Sequence, residues 1–227
     1  MQVSEEKRAA AYAAVDRFVR GDMACIGLGT GSTAYFAVER VGERVKEGWN
    51  VSAVATSVET ERLCRERGIR IVGLGEGPPV AVAIDGADEV AEDFSLTKGG
   101  GGALFREKAV ALAAKTFVVV VDESKLVKRL GKFPLPVEVV PFAIRYVERE
   151  LEKLCPAVKQ RVRDGAPFVT DNCNYILDCH FGEIPDPGSL DTALRGINGV
   201  VASGLFVGLT SHVLVGSSRG VSELPQP

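Results

Sequence analysis

Three groups of residues in this 227-residue chain have the types and spacing for chemistry. Gly29-Thr30-Gly31-Ser32-Thr33 stands where a short apolar run meets a helical pattern. Glycine lets the backbone come close to a ligand, and the N–H groups of a helix start suit an anion. Thr30, Ser32 and Thr33 add hydroxyl donors, so a small phosphorylated ligand fits this turn. A dinucleotide fits less well. Gly27-x-Gly29 would require glycine where Ser32 stands, and no Gly-Lys-Ser/Thr follows to make a P-loop. A tight turn with a purely structural role remains open for this motif taken alone.

Asp85-Gly86-Ala87-Asp88-Glu89 crowds three carboxylates into five residues at the end of an apolar run. Repulsion between like charges favours the protonated form of one member, which suits acid–base work. A magnesium site on the paired Asp and a solvated turn are the other readings. Lys98-Gly99-Gly100-Gly101-Gly102 is costly in entropy to order. As a linker it would interrupt an α/β domain between strand and helix, so the backbone is expected to line a ligand site. Lys98 can neutralise carboxylates or a developing oxyanion. Glu107, early in the helix that follows, can point back towards the ligand.

The elements that must position these groups alternate. A helix is expected over residues 4–20, with Ser4 as its cap and Gly21 as its stop. Apolar runs at 23–28, 51–56, 69–74, 79–84 and 116–121 read as strands. Helices are expected up to Lys46, from Val58 to Arg67, and after the glycine run to Lys115. Unbroken Val, Ile and Ala between helices indicate a parallel sheet covered on both faces. Ligands of such sheets bind beyond the carboxyl ends of the strands, where all three groups fall, so they should converge on one crevice.

The pattern changes near Phe133-Pro134-Leu135-Pro136. Strand 137–140, helix 142–154, a hairpin of 168–170 with 175–180, helix 190–195 and an extended 200–206 follow. That order suggests a ferredoxin-like α+β module, with 213–215 returning to the first domain. The fold expected is therefore α/β. Residues 1–130 plus 207–227 make a Rossmann-like domain, and residues 131–206 a smaller α+β domain.

Composition narrows the function. With 46% hydrophobic and 25% charged residues the chain has the balance of a globular protein rather than a disordered one. A net charge of −3 offers no basic surplus for nucleic acid or an anionic membrane. The apolar runs are too short to cross a bilayer, and Met-Gln-Val-Ser-Glu-Glu-Lys does not read as a secretory signal. Five scattered cysteines, Cys25, Cys64, Cys155, Cys173 and Cys179, read as reduced cytoplasmic thiols. Cys173, Cys179 and His180 lack metal-ligand spacing and read as incidental residues of a hairpin.

The motifs occur in one order with Gly131-Lys132-Phe133-Pro134-Leu135-Pro136-Val137-Glu138-Val139, Val169-Thr170-Asp171-Asn172 and Gly199-Val200-Val201. Along almost its whole length the chain resembles type A ribose-5-phosphate isomerases. Departures are Cys173 where glycine is common and the tail Pro225-Gln226-Pro227. The resemblance implies interconversion of ribose 5-phosphate and ribulose 5-phosphate in the non-oxidative pentose phosphate pathway. It implies no cofactor and no metal. Glu107 matches the general base, Asp85 and Asp88 the pair that handles hydroxyl protons, and Lys98 the lysine beside them. Thr30, Gly31, Ser32, Thr33, Gly86, Ala87, Gly99, Gly100, Gly101 and Lys125 match substrate contacts, with Asp85, Asp88 and Lys98. Lys7 matches a family lysine to which no role is given. A homodimer or a dimer of dimers is also implied. Two rivals are a coenzyme A transferase, with Glu107 as nucleophile, and a sugar-phosphate sensor. The short chain and the Lys98 glycine run weigh against the first. The lack of a basic DNA-reading element weighs against the second.

Overall fold

A computed structural model describes residues 2–227. The helices are α1 (Gln2–Phe18), α2 (Ala34–Lys46), α3 (Val58–Glu66), α4 (Leu104–Ala113), α5 (Ile144–Glu152) and α6 (Pro187–Arg195). The first eight strands are β1 (Cys25–Leu28), β2 (Ser52–Ala55), β3 (Arg70–Ile71), β4 (Val82–Asp85), β5 (Glu89–Val90), β6 (Leu96–Thr97), β7 (Thr116–Asp122) and β8 (Leu135–Val139). Then come β9 (Val158–Gln160), β10 (Val162–Arg163), β11 (Ala166–Pro167), β12 (Tyr175–Cys179), β13 (Val200–Ser203), β14 (Leu205–Phe206), β15 (His212–Ser217) and β16 (Gly220–Glu223). The chain divides into two compact units. One holds the chain up to Ala87, Arg106–Leu126 and Leu209–Pro227, and the other Asp88–Phe105 and Val127–Gly208.

The first unit is built on a seven-stranded sheet in the order β3-β2-β1-β4-β7-β15-β16. All neighbours are parallel except the edge strand β16, which folds back on β15. Val118 to Val121 on β7 are fully buried, as expected of a strand covered on both faces. Burying each such side chain is worth about 1.5–3 kcal/mol. The pairs of Arg62 with Glu59 and Glu66 on α3 are exposed and screened by water, so apolar packing decides this unit's stability. Ala10, Ala11, Ala14 and Val15 of α1 pack into the same core as Ile26, Leu28, Val118 and Val120. The strand order reverses between β1 and β4, the position where open α/β sheets bind ligands.

The second unit contains the ferredoxin-like module. It is built from β8, α5, β9, β12, α6 and β13, with the short β10–β11 hairpin inserted between β9 and β12, and the antiparallel sheet runs β13-β8-β12-β9. Leu135, Val137, Val139, Leu177 and Cys179 face one core, with Val147 and Leu151 of α5. Ile176 and Ala202 sit in a second cluster with Leu104 and Phe168. A small sheet, β14-β6-β5, completes the unit.

Several elements differ from the sequence expectation. α1 already starts at Gln2, so Ser4 lies within it and does not cap it, and it ends at Phe18 before Gly21. Residues 168–170 form no strand, because Thr170 N–H donates to Asn174 O and Cys173 N–H to Thr170 O, closing a local turn. β12 pairs instead with β8 and β9. Asp88–Phe105, read from sequence with the first domain, has its partners in the second unit. There β6 pairs with β14, and Lys98 N–H donates to Gly204 O at 2.8 Å.

Candidate active site

In the first unit the chemistry gathers at the carboxyl ends of three adjacent strands, β1, β4 and β7. Gly29 N–H donates to Ile84 O (2.9 Å), which holds the glycine turn level with the end of β4. There Asp85 is 3% exposed, and its Oδ1 accepts from Thr30 N–H (3.1 Å) and Gly86 N–H (2.8 Å). A side chain at position 29 would put its Cβ 2.0 Å from that oxygen, so only glycine lets the turn close over the carboxylate. The Thr30 hydroxyl faces Thr56 Oγ1 (2.7 Å), Ser57 Oγ (2.9 Å) and Thr60 Oγ1 (3.1 Å). Thr60 in turn donates to Gly29 O (2.9 Å), so this hydroxyl group braces the turn. Gly31, at φ +108°, leads into α2, whose N-cap is the buried Thr33.

Ser32 is exposed, and its Oγ accepts from Lys7 Nζ at 3.1 Å. The same ammonium lies 3.9 Å from Asp122, which is 2% exposed at the end of β7. Asp122 also caps the short 3₁₀ turn Glu123–Lys125 by accepting from Ser124 N–H (3.0 Å). α1 and the ends of β1 and β7 thus bring a cation to the glycine turn. Lys7, matched in sequence to a family lysine without a role, stands beside Ser32 of the glycine turn. Glu107 stands in the first turn of α4 and is only 5% exposed. The side of α4 that follows approaches β1 closely, since a Cβ at Gly27 would lie 2.5 Å from Val110.

In the second unit Asp88 immediately precedes β5, and its N–H donates to Thr97 O (2.9 Å). Its Oδ2 accepts from Gly100 N–H at 2.7 Å. Lys98 follows β6, is 2% exposed, and holds its ammonium 5.6 Å from the centre of the Phe206 ring. Gly99 has φ +103°, and Gly102 N–H donates to Gly99 O (2.9 Å), so the glycine run is an ordered turn and not a linker. Glu89 departs from its neighbours. Its carboxylate accepts from Thr97 Oγ1 (2.9 Å), Gly131 N–H (2.9 Å) and Phe133 N–H (2.8 Å). The third carboxylate of the acidic run therefore ties a loop to β5 and is held in a structural role by three donors.

Among the described residues no group of three or more His, Cys, Asp or Glu is disposed to hold a metal ion. No helix of the described residues is long and apolar enough to cross a membrane. Four of the five cysteines are buried and the fifth, Cys173, is exposed. Burial raises the thiol pKa of Cys25, Cys155 and Cys179, and pushes Cys64 up to about 12.

A mostly parallel sheet with a glycine turn, the buried Asp85 and Lys7 at the strand-order reversal has the architecture of α/β proteins that bind a small ligand at that point. The family model for ribose 5-phosphate isomerase A (phosphoriboisomerase A) matches residues 52–220. A ribose-5-phosphate isomerase A of Methanothermobacter thermautotrophicus is 48% identical over 221 residues, 96% of each chain. A D-ribose-5-phosphate isomerase solved in complex with phospho-erythronic acid superposes with a TM-score of 0.94 at 40% identity, covering 99% of both chains. The ribose 5-phosphate isomerase A of Methanocaldococcus jannaschii superposes at 0.91 with 42% identity, over 97% of this chain and 98% of the other. The protein belongs to the ribose 5-phosphate isomerase A family and is an isomerase.

Proposed function

We propose that this enzyme interconverts D-ribose 5-phosphate and D-ribulose 5-phosphate, with Glu107 as the general base. Glu107 takes the C2 proton of the open-chain aldose. The electron pair left behind forms the C1–C2 double bond of a cis-enediolate, and the C1 carbonyl oxygen takes up the negative charge. Return of the proton to C1, with transfer of the O2 proton to O1, completes the ketose. Asp85 and Asp88 carry the hydroxyl protons, including those of ring opening. Lys98 stabilises the enediolate oxygens.

The observation that carries this reading is the burial of Asp85, Lys98 and Glu107, at 3%, 2% and 5% exposure, in a chain of this family. Sealing an ionisable group from water is costly, and evolution tolerates it where the group is used. The Thr30–Thr33 turn, through Ser32 and with Lys7 and Lys125, supplies donors and positive charge for the phosphate; Gly99 to Gly101 contact the sugar. A relative holds phospho-erythronic acid, a phosphorylated sugar acid, and this chain is expected to bind that class of compound. No cofactor is required, because the reaction moves a proton and leaves the overall oxidation state unchanged.

The test is Glu107→Gln, which keeps the side chain's shape but cannot accept a proton. kcat should fall by at least about 10²–10⁴-fold with KM little changed. Deuterium incorporation from heavy water into the product should disappear in parallel. Near-normal exchange in a folded Glu107→Gln protein would move the base to another residue, Asp85 first. A homodimer or dimer of dimers acting in the cytoplasm completes the proposal. The fully exposed Phe142, with half-exposed Tyr146 and Val140, supports self-association and is checked by light scattering after gel filtration.

A further inference from the structure

Arg161 has no part in the reading above, yet its side chain is tied down at every donor face the structure describes. It lies between β9 and β10, and its backbone N–H donates to Ile176 O at 2.8 Å. Its guanidinium makes a two-pronged contact with Asp178 of β12. Nε donates to Oδ2 at 2.9 Å and Nη2 to Oδ1 at 2.5 Å. The two side chains are 14% and 20% exposed. The remaining prong, Nη1, donates to the carbonyl oxygens of Gly99 (2.8 Å) and Gly100 (3.2 Å). The Phe168 ring, 5.9 Å from the guanidinium carbon, flanks it.

The Gly99 carbonyl belongs to the same peptide unit as the Gly100 N–H, and that N–H donates to Asp88 Oδ2 at 2.7 Å. One peptide plane is therefore held from both sides, by a guanidinium on its oxygen and a carboxylate on its hydrogen. A cation on a carbonyl oxygen polarises the amide and strengthens its N–H as a donor. Arg161 consequently sets both the plane of the peptide and the strength of the bond that orients Asp88. Glycine at position 100 is part of the device. A Cβ there would lie 2.6 Å from Asp88 Oδ1 and 3.0 Å from Phe133.

We infer that the Asp178–Arg161 pair is a positioning element for the isomerisation, acting through the Gly99–Gly100 peptide to fix the Asp88 carboxylate. The inference rests on the reading that Asp88 handles substrate protons. Arg161 itself does not touch the reacting atoms. The fork on Asp178 aims the third prong, so lysine, with one ammonium and no fork, replaces it only in part.

The experiment is a double-mutant cycle on kcat and KM for ribose 5-phosphate, with Arg161→Met, Asp88→Asn and the pair combined. Circular dichroism confirms folding in each case. Arg161→Met should lower kcat by up to about 10²-fold, the cost of misplacing a catalytic group by about 1 Å, while KM changes little. In the Asp88→Asn background the same substitution should cost less than threefold, because both changes remove one function. Arg161→Lys should recover part of the lost kcat. Asp178→Asn should reproduce part of the loss, and serves if Arg161→Met does not fold. Full additivity of Arg161→Met and Asp88→Asn, or unchanged kcat in Arg161→Met, overturns the positioning role. Full activity of Asp88→Asn by itself overturns instead the assignment of Asp88 on which it rests.

Discussion

Lys98 and Asp88 sit close in sequence but are held by different means, and that difference decides what each substitution does. Asp88 is oriented by one backbone N–H, whereas the Lys98 ammonium lies over the Phe206 ring and its backbone N–H is fixed to Gly204. Lys98→Met keeps most of the packing volume and removes only the charge. The expected outcome is a kcat loss of about 10²–10³-fold, the range for removing one stabilising group from a developing oxyanion. KM should stay within a few-fold of the parent, because Lys7, Ser32 and Lys125 are untouched. A KM rise with kcat preserved, seen in steady-state kinetics, would show that Lys98 binds substrate in the ground state instead. Glu89 teaches the converse. Its position in the acidic run suggests chemistry, but two backbone N–H groups and a hydroxyl already occupy it.

The glycine turn after β1 is an element whose shape serves a side chain on another strand. Gly29 has to lack a Cβ because Asp85 lies beneath it, and the Asp85 carboxylate stays put because Thr30 N–H and Gly86 N–H donate to it. Gly29→Ala should therefore act twice. It should destabilise the fold by about 1–3 kcal/mol, the cost of overpacking, and lower kcat by displacing Asp85. Urea denaturation gives the first quantity and initial rates the second. A variant as stable and as active as the parent would show that the turn has room which the 2.0 Å approach denies it. The second glycine run obeys the same logic through Gly100 and Asp88, with the Arg161 prong holding its other side.

At the scale of the whole molecule, stability and pH are linked through carboxylates on and against α1. Burial works to raise the pKa of Asp16, but hydrogen bonds from Arg40 and Arg44 outweigh it and hold the group below its ordinary 3.8. Hydrogen bonds from Arg40 and then Tyr12 lower Glu43, and the bond with His212 lowers Glu223 with help from Arg17. A carboxyl group whose pKa is lower folded than unfolded adds stability above its unfolded value. That stability is lost as pH falls through the folded value. The melting temperature should accordingly change little from these groups between pH 7 and about 5, then drop below about pH 4. Asp16→Asn should make the acid decline shallower, as followed by circular dichroism at a series of pH values. An equally steep decline in that variant would remove Asp16 from the account.

How much of this was legible in the sequence depends on the range of the interaction. The alternation of buried strands and amphipathic helices, the order of β8 to β13 and the return of β15 follow from local apolar periodicity and turn residues, and the structure agrees with them. The glycine and carboxylate motifs were legible because their chemistry is written in adjacent residues. Two-residue strands such as β5, β6 and β14 leave no period to read. β12 pairs with β9, although residues 168–170 stand nearer to it in the chain and enter the Thr170–Asn174 turn instead. Lys7 beside Ser32, Glu89 against residues 131 and 133, and Arg161 on Gly99 join residues far apart in the chain. Residue types alone cannot specify such meetings, because a lysine, a glutamate or an arginine on a surface pattern reads the same whatever it touches. The sequence by itself therefore determined which groups are available for proton transfer and phosphate binding. Tertiary structure alone decided which of them are sealed from water and which hold the others in place, because burial and hydrogen-bond geometry exist only once distant segments pack.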